Sequence, residues 1–164
     1  GTTGWNDGRE TVRKLVEKYN GSFVFGANFS VGVNLFYRIV SNASELFSKF
    51  SDYETFIEER HHSRKIDAPS GTALKLKELV SQHITKDFSV AATRVGNIPG
   101  THIVGFDGTA DTIELTHTAR SREGFAAGSI VAANWIVGKK GFWEFTEVMD
   151  EIIGTRSDSD LAGS

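Results

Sequence analysis

Apolar residues recur along the first third of the chain with the periods of helices and strands. Asn6 or Asp7 can cap a helix over about 8–19, and the apolar run 22–27 predicts a buried strand. After a turn at 28–30, apolar residues at three- and four-residue spacing predict a long helix. The residues predicted to form its inward face are Leu35, Phe36, Ile39, Val40, Ala43, Leu46, Phe47 and Phe50.

The remaining pattern predicts one further helix, a group of strands and two closing helices. A strand is predicted over 53–60 and an amphipathic helix over about 73–84, with Leu74, Leu79 and Val80 inward. Three strands follow in the prediction, and a glycine-containing hairpin loop at 107–111 joins the last two. These predicted strands are 88–95, 102–106 and 112–118, and the closing helices are 124–137 and 145–153.

This order of elements predicts an α+β fold with a seam near 28–33. One helix and one strand before the seam are too little for an independent core, so we expect them to be the end of an α/β domain. The chain begins with Gly1 rather than Met and lacks the pattern of a natural start, so we expect a piece of a longer protein. The small, polar, aperiodic tail 154–164 predicts disorder.

Composition excludes several classes of function. The net charge of −3 does not provide the positive field of a nucleic-acid binder, and no apolar run or signal pattern predicts a membrane segment. The absence of Cys excludes a disulfide scaffold, a thiolate nucleophile and a cysteine zinc site. We expect a soluble, cytoplasmic globular protein, or one of the plastid stroma if the source is a plant.

The richest chemistry lies in one run, Glu59-Arg-His-His-Ser-Arg-Lys-Ile-Asp-Ala-Pro-Ser-Gly-Thr72. Pro69 cannot lie inside a helix, so Ser70-Gly71-Thr72 is predicted to open the next one. The amides of Gly71 and Thr72, with the Thr72 hydroxyl, would then lie at a positive helix end that suits a carboxylate or phosphate. Lys65 and Arg64 add positive charge, and His61 and His62 add titratable imidazoles. The run therefore predicts a small-anion pocket beside an imidazole.

Other interpretations of these residues remain open. The His pair can be structural, Ser-Gly-Thr can be only a helix cap, and the cations can be solvated. A metal-dependent hydrolase would use His61, His62 and Asp67 with His102 or His117, but adjacent His residues are poor joint ligands for one ion. A non-enzymatic assembly module would pair the strands 88–95 and 112–118 across subunits.

The same run resembles the signature of the dihydrodipicolinate reductase family: two His, two variable residues, Lys, one variable residue, then Asp-Ala-Pro-Ser-Gly-Thr-Ala, here 61–73. Flanking segments also resemble the family over roughly 1–153. They are Gly1-Thr-Thr-Gly-Trp5, Ala27-Asn-Phe-Ser-Val-Gly-Val-Asn34, Arg94-Val-Gly-Asn-Ile-Pro-Gly-Thr-His102, Glu114-Leu-Thr-His117, and Ser121-Arg122 with Phe125-Ala126.

The resemblance implies a role for each matching position. His61 would be the general acid, and Lys65 would pair with a substrate carboxylate and stabilise developing charge. His62 and Ser70 would contact the substrate, a small dicarboxylate, and Gly71 and Thr72 would hold its carboxylate. NADH or NADPH would be the cofactor, without a metal. Its nicotinamide end would contact Gly1, Thr2, Thr3, Gly26, Ala27, Asn28 and Phe29, with weaker assignments at Arg122 and Phe125.

The resemblance also implies how the chain is organised. Residues 1–29 would be the last helix and strand of a Rossmann-type domain, and 30–121 a substrate-binding and tetramerisation domain with a mixed four-stranded sheet. Residues 122–153 would be helices returning toward the Rossmann part, before the tail at 154–164. The family's glycine-rich pyrophosphate loop has no match here, so we expect little turnover from this chain alone. A homotetramer is the expected assembly, and a fragment that only binds substrate or oligomerises is the alternative.

Overall fold

The structure is a computed structural model, and it describes residues 5–159. Within them the chain divides into two compact units. The first combines the segment up to Val31 with the segment from Phe125 onward, and the second is Gly32–Gly124. The ranges proposed above for functional domains remain a prediction. Among the described residues, no helix combines the length and the apolarity that a bilayer crossing needs.

The first unit is built on a two-stranded parallel sheet. After a short 3₁₀ turn at Asn6–Gly8 come α1 (Arg9–Lys18) and β1 (Ser22–Phe25), while α4 (Glu123–Trp135), β6 (Gly141–Glu144) and α5 (Phe145–Ser159) come from the other end. β1 and β6 pair with Phe23 opposite Phe142. The core of this unit contains Phe145, Val148, Met149 and Ala132, with Val24, Phe29, Trp135 and Trp143 packed against them.

The second unit is a mixed four-stranded sheet with two helices. Its elements are α2 (Val31–Phe47), β2 (Glu54–His61), α3 (Gly71–Ser81), β3 (Ser89–Arg94), β4 (Thr101–Asp107) and β5 (Thr112–Thr118). The strand order is β3-β2-β4-β5, with β2 and β3 parallel and the other pairs antiparallel. The predicted α+β class and mixed sheet are confirmed.

One face of the sheet of the second unit supports both its core and its site. The core contains Ile57, Val104 and Phe106 from the sheet, and Val40 and Leu76 from the two helices, all fully buried. Because side chains alternate along a strand, Ile57, Glu59 and His61 share this face of β2. The residues of β2 nearest its end therefore continue the core face but carry polar groups.

Several predicted details are wrong. Leu35, Ile39, Leu46 and Phe50 are 41–62% exposed, because the buried face of α2 is formed by Val33, Asn34, Phe36, Tyr37, Val40 and Ser44. On α3, Leu74 is exposed and Leu76 takes the predicted inward position. The strand β6 was not predicted, since it is only four residues long. Helix α5 continues to Ser159, past the predicted end at Ile153.

Candidate functional site

The run that carries the chemistry forms the end of β2, a loop and the start of α3. His61 is the last residue of β2, and Gly71 is the first residue of α3. The loop turns where Lys65 N donates to His62 O over 3.1 Å, and Ser63 N donates to Gly96 O over 3.2 Å. One short loop thus connects the end of the strand to the start of the helix, as the sequence predicted.

The start of α3 has the geometry of a capped helix that is open to solvent. Ser70 is the N-cap residue, and its Oγ accepts from Ala73 N over 3.2 Å. Gly71 is exposed, and a Cβ added there would meet no atom within 4 Å. The Thr72 side chain hydrogen-bonds to Tyr37, whose pKa is raised to about 12 because burial outweighs that bond. The exposed first turn can therefore admit an anion at Gly71.

Glu59 is the buried centre of the site, with a side chain that is 0% exposed. Its Oε1 accepts from Ser70 N over 2.9 Å and from Arg94 Nη2 over 2.6 Å. Its Oε2 lies 3.3 Å from His61 Nδ1. Burial raises the pKa of Glu59, but the hydrogen bonds from Ser70 and Arg94 outweigh it, so the pKa lies below its ordinary value. Glu59 is thus a carboxylate held ionised between the helix start and two strands.

Two imidazoles from neighbouring strands flank this carboxylate. His61 on β2 and His102 on β4 pack edge to face with ring centroids 5.1 Å apart. Burial lowers the pKa of both rings, and that of His102 falls to about 4. His102 Nε2 is 3.1 Å from Ser70 Oγ. A third imidazole, His117, lies opposite His102 on β5, and burial lowers its pKa too.

The predicted cations and the remaining site residues lie at the loop surface. Lys65 Nζ donates to both carboxylate oxygens of Asp67 over 2.7 and 2.9 Å, and this contact holds the pKa of Asp67 below its ordinary value. Arg64 donates to Asn97 over 3.1 Å. His62 is half-buried. Lys65 is therefore a cation at the site, already neutralised by an exposed carboxylate that a ligand could replace.

The residues predicted to contact a cofactor lie elsewhere in the chain. Gly26 and Phe29 line a cavity of about 480 Å³ in the first unit, while Ala27 is exposed and Asn28 is half-buried. Asn28 Oδ1 accepts from Ser30 N over 2.9 Å, which shapes the turn before α2. Arg122 and Phe125 are exposed. Gly1, Thr2 and Thr3 lie outside the described residues.

Three side chains of metal-ligating type lie close together among the described residues. Ligand atoms of Glu59, His61 and His102 all lie within 4.8 Å of one another. This set differs from the ligands considered above, since His62, Asp67 and His117 do not belong to it. Arg94 Nη2 is 2.6 Å from Glu59, so the carboxylate already has a cationic partner that would repel a divalent ion.

Sequence reasoning assigned no role to two residues at the centre of this site, Glu59 and Arg94. Their pairing depends on the register of β2 and β3, where His61 lies opposite Arg94. The alternation of Glu59 with His61 was the available signal, because residues two apart on a strand share a face. Arg94 also donates to Asp67 O over 2.6 Å, so it ties the loop to the carboxylate.

Comparison with known proteins finds one family profile, and two similar relatives share one enzyme name. A family profile described as dihydrodipicolinate reductase, C-terminus, matches residues 32–149. A 4-hydroxy-tetrahydrodipicolinate reductase of Christiangramia forsetii is 36% identical over 93% of this chain, and one of Neisseria gonorrhoeae is 36% identical over 91%. The chain spans 69% and 62% of the lengths of these two relatives.

A solved structure resembles the fold. It is a dipicolinate-bound dihydrodipicolinate reductase from Paenisporosarcina sp. TG-14, with a TM-score of 0.69 and 23% identity. The match covers 90% of this chain and 63% of that chain. At this identity the likeness supports the shared fold.

Proposed function

Because the chain belongs to the dihydrodipicolinate reductase family, we propose that it carries the substrate site of a reductase that uses NADH or NADPH. The reaction is reduction of dihydrodipicolinate, or its hydrated form 4-hydroxy-tetrahydrodipicolinate, to tetrahydrodipicolinate in lysine and diaminopimelate biosynthesis. The observation that supports it most is the single loop that joins a buried imidazole, a lysine and an open helix start.

The loop supplies partners for the carboxylates of a cyclic dicarboxylate and a proton donor for its ring. Lys65 binds one substrate carboxylate in place of Asp67, since its Nζ already holds a carboxylate in that geometry. The amide of Gly71 and the Thr72 side chain bind a substrate carboxylate at the helix start, where the helix dipole favours negative charge. His62 and Ser70 border this pocket, although Ser70 also has internal partners in Glu59, Ala73 and His102. His61 donates the proton that completes reduction of the ring.

The cofactor would supply the hydride, and the described residues fit its nicotinamide end. The cavity beside Gly26 and Phe29 is lined by the aromatic side chains of Trp5, Phe23 and Phe25 and by small residues of α4, with Ser129 as its polar side chain. Such a lining suits a flat ring of low polarity. Among the described lining residues there is no cation for a pyrophosphate, so we expect little turnover from this chain by itself.

Steady-state turnover tests the proposal in the protein that carries this chain. Oxidation of NADH or NADPH is followed with dihydrodipicolinate as substrate, in the wild type and in His61→Ala combined with Lys65→Ala. We expect the double variant to lose at least ~100-fold in kcat/KM, since it lacks the acid and the carboxylate partner. Lys75→Ala is the control, because Lys75 is paired with Glu78 on the surface of α3. Undiminished turnover in the double variant would contradict the assignment.

A second function, assembly into a homotetramer, is supported by the sheet. The two strands singled out from the sequence, β3 and β5, are its two edges. Exposed edges are surfaces on which further strands can pair. Light scattering after size exclusion measures the mass, and a titration of pyridine-2,6-dicarboxylate in the same sample reports ligand binding. A tetramer that binds no dicarboxylate would favour an assembly module over the substrate site.

The expected cytoplasmic location remains a prediction.

A further inference from the structure

Glu59 has two oxygen atoms with different surroundings. Oε1 is saturated by the Ser70 amide and the Arg94 guanidinium, at 2.9 and 2.6 Å. Oε2 faces Nδ1 of His61 at 3.3 Å, and neither of these two buried atoms has a hydrogen-bond partner within the described residues. A carboxylate fixed by Oε1 cannot turn, so Oε2 is held in place beside one nitrogen of the imidazole.

We propose that Glu59 is a positioning residue that keeps a proton on His61 Nδ1, so that Nε2 is the atom that exchanges protons with the substrate. The inference rests on the proposed function, in which His61 is the acid. Gly100 borders the Nε2 edge of the ring, where an added Cβ would lie 3.0 Å from Nε2. With no side chain at Gly100, that edge keeps the room that a ligand needs. A neutral imidazole with Nδ1 protonated accepts its second proton at Nε2.

His102 is the other imidazole close to Oε2, with Nε2 3.6 Å from it. Burial, with the nearby charge of His61, lowers the pKa of His102 to about 4. His102 therefore stays neutral near pH 7 and serves as a hydrogen-bond partner of Ser70 Oγ. Because Nε2 of His102 lies farther from Oε2 and already has Ser70 Oγ as a partner, the nearer imidazole nitrogen beside Oε2 is Nδ1 of His61.

Charged groups on several neighbouring elements influence the pKa of His61. Burial is the largest influence and lowers this pKa, and Glu59 is the largest influence that raises it. Lys65 and Arg94 lower the pKa further, while Asp67 raises it. The groups that face the ring are thus Glu59 on β2, Lys65 and Asp67 on the loop, Arg94 on β3 and His102 on β4. Removing the Glu59 charge leaves burial and two cations lowering the pKa of His61, opposed only by the weaker influence of Asp67.

Histidine ring NMR on this chain tests the proposal without any need for turnover. In ¹⁵N-histidine-labelled protein, we expect neutral His61 to be the Nδ1-protonated tautomer. Glu59→Gln should lower the titration midpoint of His61 by roughly 1 pH unit or more, the effect of losing a close opposite charge. Glu58→Gln is the matched control, because Glu58 is the preceding residue of β2, is paired with Arg60 and lies on the opposite face.

The outcomes separate this inference from the proposed function. An Nε2-protonated tautomer in the wild type would overturn it even if Glu59→Gln does not fold, as would a Glu59→Gln midpoint equal to that of Glu58→Gln. In protein with reductase activity, Glu59→Gln should lower kcat by roughly 10-fold to 10⁴-fold with little change in KM. It should also move the alkaline loss of activity to lower pH. Absence of reductase activity would reject the proposed function while leaving the NMR result to decide on Glu59.

Discussion

Replacing Arg94 by Met tests how far the buried carboxylate depends on its cation. The substitution keeps much of the aliphatic volume of the side chain but removes the guanidinium, which donates to Glu59 Oε1 and to Asp67 O, each over 2.6 Å. The Glu59 side chain is 0% exposed and that of Arg94 is 17% exposed. Glu59 would therefore remain buried with the Ser70 amide as its main donor.

The size of the effect follows from this burial. Breaking a fully buried ion pair costs about 3–5 kcal/mol, and the partial exposure of Arg94 favours the lower end, about 3 kcal/mol. The matched control is Arg60→Met on β2, whose ion pair with Glu58 is about half exposed on both sides. An exposed pair of this kind contributes about 0–1 kcal/mol.

The cost should also depend on pH. In the wild type the pKa of Glu59 is lowered, so its contribution to stability is present above the ordinary carboxyl pKa and is lost as pH falls through the folded value. Without Arg94, burial should raise the pKa of Glu59, and the variant should take up its proton at higher pH. The difference in stability between wild type and variant should thus shrink as pH falls from about 7 to about 4.5.

Urea unfolding followed by circular dichroism measures both effects. The free energy of unfolding is determined for wild type, Arg94→Met and Arg60→Met at the two pH values. A cost for Arg94→Met no larger than that for Arg60→Met would refute the reasoning, and so would a cost that does not change with pH.

Two further substitutions separate ligand binding from folding. Gly71→Ala should weaken dicarboxylate binding at the helix start. It should also raise the free energy of unfolding by about 0.5 kcal/mol, because the added methyl group meets no protein atom and alanine favours a helix. Calorimetric titration and urea unfolding measure the two quantities, and weaker binding with lower stability would contradict this expectation. Phe106→Ala should cost about 3–5 kcal/mol, since Phe106 is fully buried and stacks on Phe47 with centroids 4.2 Å apart. A cost below about 1 kcal/mol in urea would contradict that packing.

The sequence predicted elements best where the pattern of one segment determines its structure. The strands of the second unit were found within one or two residues, because alternation and flanking turns mark them locally. The face of α2 was partly wrong, since Leu35, Ile39 and Leu46 extend the apolar stripe beyond the buried surface. The buried face instead includes polar Asn34 and Ser44, which apolar spacing cannot indicate. β6 was missed because a four-residue strand is defined by its partner β1, far away in the chain.

The same distinction applies to the site. The cap at Ser70 and the exposed glycine at 71 follow from local sequence, and so does the loop that carries Lys65. The contact of Glu59 with Arg94 joins residues 35 positions apart, and it exists only through the register of β2 and β3. Nothing in the spacing of those two residues indicates that register.

Calorimetric titration of pyridine-2,6-dicarboxylate into this chain tests the central claim most directly, since it asks whether the loop from His61 to Thr72 is a dicarboxylate site. Wild type, Lys65→Met and Lys75→Met are compared at one ionic strength. We predict measurable binding that is weakened ~10-fold or more in Lys65→Met, as expected for the loss of a charge-assisted contact, and unchanged in Lys75→Met. Absence of binding in the wild type, or equal affinity in wild type and Lys65→Met, would contradict the claim.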